Sequence, residues 1–197
     1  MFNTKPALMS LLAASTMMFA LPAHAQDADA ALQALDDALP GELMHNPFDL
    51  EWDARGNDLK TKVVQAEAMS SGQAISARLK KKQPRAWDSS VSMQVPEGVN
   101  EGESVQVFFY VRTAKPAAGQ DTGNISLFVG RNEAPYDYII SEDIFPAGEW
   151  KLMNLTGVAG ANYPAGSIKV EYQLGKAAQT VEFGPVYVSK LGPAAAE

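Results

Sequence analysis

The chain reads as an all-β protein, an antiparallel sandwich of jelly-roll type with about nine strands. Three observations carry that reading. Beyond residue 60 the sequence is a succession of short β-branched and aromatic runs, separated by Gly, Pro, Asn and Asp, with no helical interlude. Two long runs, Ser104–Thr113 and Ser167–Leu174, divide with period two into a core side and an outer side of aromatic, charged and amide residues. There is no cysteine, so stability must come from packing and sheet hydrogen bonds rather than from disulfide staples.

In chain order, the first 25 residues have the form of a secretory signal. Lys5 precedes an apolar stretch from Ala7 to Leu21, and Ala23-His24-Ala25 is a small-x-small cleavage site. The apolar core is shorter than the roughly 20 residues a spanning helix needs, so an exported protein without a membrane span is expected, periplasmic or extracellular. Residues 26–54 read as an N-terminal helix and linker: Leu32, Leu35 and Leu39 fall on one helical face within Asp27–Leu39, which stops at Pro40-Gly41. The jelly roll is expected over 55–191, with a flexible tail from 192 to 197. Its runs are Lys62–Ala68, Ala74–Leu79, Ser89–Val95, Ser104–Thr113, Asn124–Gly130, Tyr138–Ile144, Glu149–Leu155, Ser167–Leu174 and Thr180–Ser189.

Charge and composition exclude several functions. The full chain carries 16 basic and 23 acidic residues; without Lys5 the balance is −8. A surface of that sign repels nucleic acid and anionic lipid and suits a neutral partner such as a polysaccharide or oligosaccharide. Once the signal is removed His45 is the only histidine, expected in a surface loop, which leaves a Ser-His-Asp triad or zinc site with a single candidate and no constellation. No Glu-x-Asp-x-x-Glu strand supplies the paired carboxylates of a jelly-roll glycosidase, so no catalysis is expected; Glu171 and Glu182 are the one inter-strand pair to consider.

Alternation then separates the faces of two strands. In Ser104–Thr113 the residues Val105, Val107, Phe109 and Val111 point to the core, opposite Gln106, Phe108, Tyr110 and Arg112. In Ser167–Leu174 the core set is Ile168, Val170, Tyr172 and Leu174, opposite Lys169, Glu171 and Gln173. A sugar ring offers an apolar C–H face and a rim of hydroxyls, so a sugar site needs aromatic plates beside carboxylate, amide and guanidinium groups. Phe108, Tyr110, Arg112, Glu171 and Gln173 supply that mixture. A protein–protein interface on the same aromatic face is the alternative use of these residues.

The stretches Lys80–Asp88, Gly102–Arg112, Arg131–Tyr136, Glu149-Trp150-Lys151 and, above all, Leu174–Val188 resemble the non-catalytic, galactose-binding-like jelly-roll domains of the carbohydrate-binding module family 4/9 type, found beside catalytic domains in bacterial secreted xylanases. The resemblance implies sugar contacts on one sheet and its adjacent loops. It carries an aromatic-x-Arg pair onto Tyr110 and Arg112, a loop tryptophan onto Trp87, and an Ala-Pro-Tyr loop onto Tyr136. It also implies a separate glycan-degrading enzyme as a partner and allows a structural calcium, with Glu67 and Glu182 as oxygen ligands. Trp150 is expected to be structural.

Overall fold

The computed structural model describes residues 38–47, 51–69 and 71–194. The signal segment, and all but the last two residues of the helix expected over Asp27–Leu39, lie outside the described residues. Among the described residues no helix is long and apolar enough to cross a membrane.

Eleven strands form two antiparallel sheets: β1 (Glu42–Leu43), β2 (Asp53–Arg55), β3 (Leu59–Gln65), β4 (Gln73–Leu79), β5 (Ser90–Val95), β6 (Glu103–Lys115), β7 (Ile125–Arg131), β8 (Tyr138–Ile144), β9 (Lys151–Val158), β10 (Ile168–Gln173) and β11 (Thr180–Pro193). One sheet has the order β3-β4-β11-β6-β9, with β1 added beside β11; the other runs β2-β5-β10-β7-β8. The expected jelly roll is the architecture found, and each of the nine expected runs overlaps a strand. Two boundaries move. β1 and β2 lie in the stretch read as linker: two or three residues are too few to show alternation, and their pairing with β11 and β5 makes them strands. At the other end Gly192 and Pro193 pair with Ser104 and Glu103, so β11 continues into the expected tail.

The core lies between the sheets, where alternation puts it. Val107, Phe109, Val111, Val170 and Tyr172 are all fully buried. Tyr172 is its centre. Its ring stacks on Phe183 at 4.1 Å and on Trp52 at 5.8 Å, and meets the edge of Phe109 at 5.5 Å. Trp52 thus ties the start of the domain to the middle of β10. His45 is buried rather than exposed, because β1 lays the following residues along β11; its Nε2 accepts the Val188 N–H at 3.3 Å.

Candidate functional site

The outward faces of the two sheets differ in what covers them. On β10 the outward residues are Lys169, Glu171 and Gln173. Register places Glu171 beside Ser92 of β5 and Phe128 of β7, and Phe128 beside Ser141 of β8. This row floors a cleft of about 540 Å³ lined by Arg55, Trp87, Phe128, Asn132, Tyr136, Tyr138, Ser141, Lys169, Glu171 and Gln173.

Its walls are aromatic. Trp87 stands on a single 3-10 turn, Ala86–Asp88, whose ends are tied by Asp88: its carboxylate accepts the Arg85 backbone N–H at 3.1 Å and the Arg85 Nε–H at 2.9 Å. That guanidinium also holds the Asp88 carboxyl below the usual carboxylate range. Tyr136 comes from the β7–β8 loop and Tyr138 opens β8; Arg131 clamps the loop through both oxygens of Asp137 (2.8 and 3.3 Å). The loop lies so close to β7 that a Cβ on Gly130 would sit 2.4 Å from the Asp137 carbonyl oxygen. Tyr136 takes a left-handed backbone (φ 58°), a conformation that costs an L-residue about 1 kcal/mol or more. The result is three side chains, Trp87, Tyr136 and Tyr138, that remain 49%, 59% and 60% exposed around one concavity. Phe128 meets Tyr138 edge to face at 6.5 Å.

The floor is polar and closed on itself. Glu171 points outward as expected but is only 2% exposed, because its neighbours cover it. Lys169 Nζ donates to Oε2, Gln173 Nε2 donates to Oε1 at 3.0 Å, and Arg55 lies 3.8 Å away. A carboxylate held on both oxygens orients the amide and ammonium beside it toward the cleft.

The opposite sheet face is built differently. Tyr110 and Arg112 do share one side of β6, two residues apart. Tyr110 is half-buried with Val64 and Trp150 against Ala66, Met69 and Ala74, where the β3–β4 loop folds over the sheet. Arg112 donates from Nε and Nη2 to Glu182 Oε2, each at 2.7 Å, and its guanidinium lies 4.7 Å from the Trp150 ring. Phe108 is half-buried beside Tyr187 and Asn154. The structure therefore brings Trp87, Tyr136, Glu171 and Gln173 into one cleft and places Phe108, Tyr110 and Arg112 on the other side of the molecule. Glu182 is taken by Arg112, Glu67 is exposed in the β3–β4 loop, and among the described residues no group of three or more His, Asp or Glu is gathered to hold a metal.

No protein-family model matches the chain, and no curated protein matches it in sequence. Solved structures do. A CBM4 structure superposes with a TM-score of 0.56 over 71% of this chain and 94% of its own, at 16% identity. The chain shares the fold of carbohydrate-binding modules. The second N-terminal cellulose-binding domain of Cellulomonas fimi β-1,4-glucanase C gives 0.55 at 19% identity, over 74% of this chain and 88% of that one. The CBM22-1 xylan-binding domain of Paenibacillus barcinonensis Xyn10C gives 0.50 at 19% identity, over 79% and 98%.

Proposed function

We propose that this chain is an exported, non-catalytic protein that binds a polysaccharide or oligosaccharide in the cleft on the β2-β5-β10-β7-β8 sheet. One observation carries the reading: Trp87, Tyr136 and Tyr138 stand about half exposed around a floor of amide, ammonium and carboxylate groups. Aromatic rings left in water at the cost of burial, and fixed there by clamped loops, are plates for the C–H faces of sugars, while Gln173, Asn132 and Lys169 meet hydroxyls. Shared fold with cellulose-binding and xylan-binding domains supports the same reading. The absence of catalysis is supported by the lining, in which Glu171 is the single carboxylate and is fully engaged, whereas glycoside hydrolysis uses two. A separate glycan-degrading enzyme is the proposed partner.

Native gels containing soluble xylan or hydroxyethylcellulose, followed by titration calorimetry, test this. Trp87→Ala should lower affinity about ten- to hundredfold, the loss of one stacking plate, with an unchanged melting curve. Arg112→Ala should bind as wild type, and no reducing sugar should be released. Loss of binding in Tyr110→Ala but not in Trp87→Ala would move the site to the other sheet.

A further inference from the structure

We infer that the cleft selects an acidic glycan, one whose uronate carboxylates are spaced along the chain by neutral rings, and that Lys80, Lys81 and Lys82 are the selecting residues. This rests on the carbohydrate-binding reading of the same cleft. The protein as a whole carries a net charge of −7, yet its densest basic run, Lys80-Lys81-Lys82-Gln83-Pro84-Arg85, leads directly into the cleft tryptophan, Trp87. All three lysines are exposed.

The run is held in place. The Gln83 N–H donates to the Gly175 carbonyl at 2.8 Å, and the Gly175 N–H donates back to the Ala86 carbonyl at 2.8 Å. The contact is close enough that a Cβ on Gly175 would sit 2.2 Å from the Arg85 carbonyl oxygen. The lysines therefore project from a backbone fixed beside Trp87.

The acids on the cleft side of the run are already engaged, whereas Asp58, whose carbonyl accepts the Lys80 N–H at 3.1 Å, is exposed at its far end. Asp88 is paired with Arg85, Asp143 accepts from Lys176 and Ser126, and Glu171 is held by Lys169 and Gln173. Lys176 and Ser126 hold the Asp143 carboxyl below its ordinary range, so it is an anion already satisfied. Lys80, Lys81 and Lys82 have no ion-pair partner among the described residues, and the guanidinium of Arg55 at the cleft is 66% exposed. The sheet also leads a ligand toward them. Gln173 of the cleft pairs with Ser126, and Ser126 with Asp143, a step of two strand spacings or about 10 Å. Beyond it, Lys82, Phe145 and Lys176 line a shallower depression of about 380 Å³.

Three adjacent unpaired cations repel one another and are stabilised by an anion. Aromatic plates leading to ammonium groups carried on an anchored backbone fit a ring that stacks and a carboxylate that reaches them. A polyphosphate chain fits less well, since it presents a full charge at every unit to a protein of net charge −7 and to a cleft floored by the Glu171 carboxylate.

The test compares glucuronoxylan, whose uronates are spaced by neutral xyloses, with its own carboxyl-reduced form, and sets beside it polygalacturonate and alginate, which are charged at every ring, by calorimetry on the full mature chain at 50 mM NaCl. Glucuronoxylan should bind about tenfold or more tighter than its reduced form and than polygalacturonate or alginate, and the advantage should shrink at 500 mM salt, where screening is strong. The Lys80→Gln/Lys81→Gln/Lys82→Gln variant should lose that advantage, keep wild-type affinity for the reduced form, and melt as wild type. Binding of neutral or reduced glycans with no acidic preference overturns this inference and leaves the function standing. Failure to bind any glycan overturns both. Equal or tighter binding of oligo-dT, with the same lysine dependence, overturns it in favour of a nucleic acid.

Discussion

Replacing Lys169 with Met should destabilise the protein through the floor of the cleft. The Glu171 side chain is 3% exposed and that of Lys169 15%, so the pair is largely out of water. Without the ammonium, the carboxylate keeps Gln173 Nε2 at 3.0 Å and Arg55 at 3.8 Å. The first is a single hydrogen bond from an uncharged amide, which does not neutralise the carboxylate; the second belongs to a mostly solvated guanidinium and is worth under about 1 kcal/mol. Breaking a buried pair from one side costs about 3–5 kcal/mol, and the partial exposure of Lys169 puts the loss near the lower figure. For a domain of this size that is a melting temperature about 6–12 °C lower. Urea unfolding followed by tryptophan fluorescence measures it. The control is Lys169→Met/Glu171→Leu, which removes both charges and should return to within about 1 kcal/mol of wild type. A loss below about 1 kcal/mol in the single variant, or no recovery in the double, would show that the floor is wet and that Glu171 remains available.

Two further outcomes concern the core. The Tyr172 hydroxyl is fully buried with no hydrogen-bond partner among the described residues, so Tyr172→Phe should gain about 1 kcal/mol at pH 7, read from the urea midpoint. Burial raises the Tyr172 hydroxyl well above its ordinary value of 10.0; the unfolded chain then releases this proton first, and wild-type stability should fall as pH rises past that value, less steeply in Tyr172→Phe. A loss of stability in the variant at pH 7 would mean the hydroxyl is satisfied. Phe109→Ala, which empties a fully buried site between the sheets, should cost about 3–5 kcal/mol, and a cost below about 1 kcal/mol in the same assay would refute the assignment of faces.

The fold was legible because its signal is redundant: nine runs of suitable length, each bounded by turn residues, with period-two alternation in the central strands. Where that signal was short or irregular, it failed. β1 and β2 are too brief to alternate. The register of β8 slips against β7 between Val129 and Gly130, so Ile139 and Ile140 are both buried while Tyr138 and Ser141, three apart, both face the cleft. Strict alternation would have put those two on opposite sides, which hides Tyr138 from a reading of the sequence. Phe128 was within reach, since Leu127 and Val129 flank it as core residues, and Lys169 was already on the outward face of its strand. Arg55 and Asn132 carried no comparable signal, because strand ends and loops are positioned by tertiary contacts.

What alternation could not supply was the assignment of outward faces to sheets. Glu171 and Tyr110 are each outward residues on a central strand, and nothing local distinguishes them; β10 and β6 belong to different sheets, so the two side chains point away from each other through the core. Which face remains open then depends on the connections. On the Tyr110 side the β3–β4 loop lays Ala66 and Met69 over the sheet, and Trp150 closes on Arg112, so the aromatic groups there contribute burial. On the Glu171 side the β4–β5 and β7–β8 connections are clamped at the rim by Asp88 and Arg131, and they raise Trp87 and Tyr136 without covering the floor. The same kinds of residue thus serve stability on one sheet and remain free for a ligand on the other, and the difference lies in the four connections that carry Met69, Trp87, Tyr136 and Trp150 rather than in the strands between them.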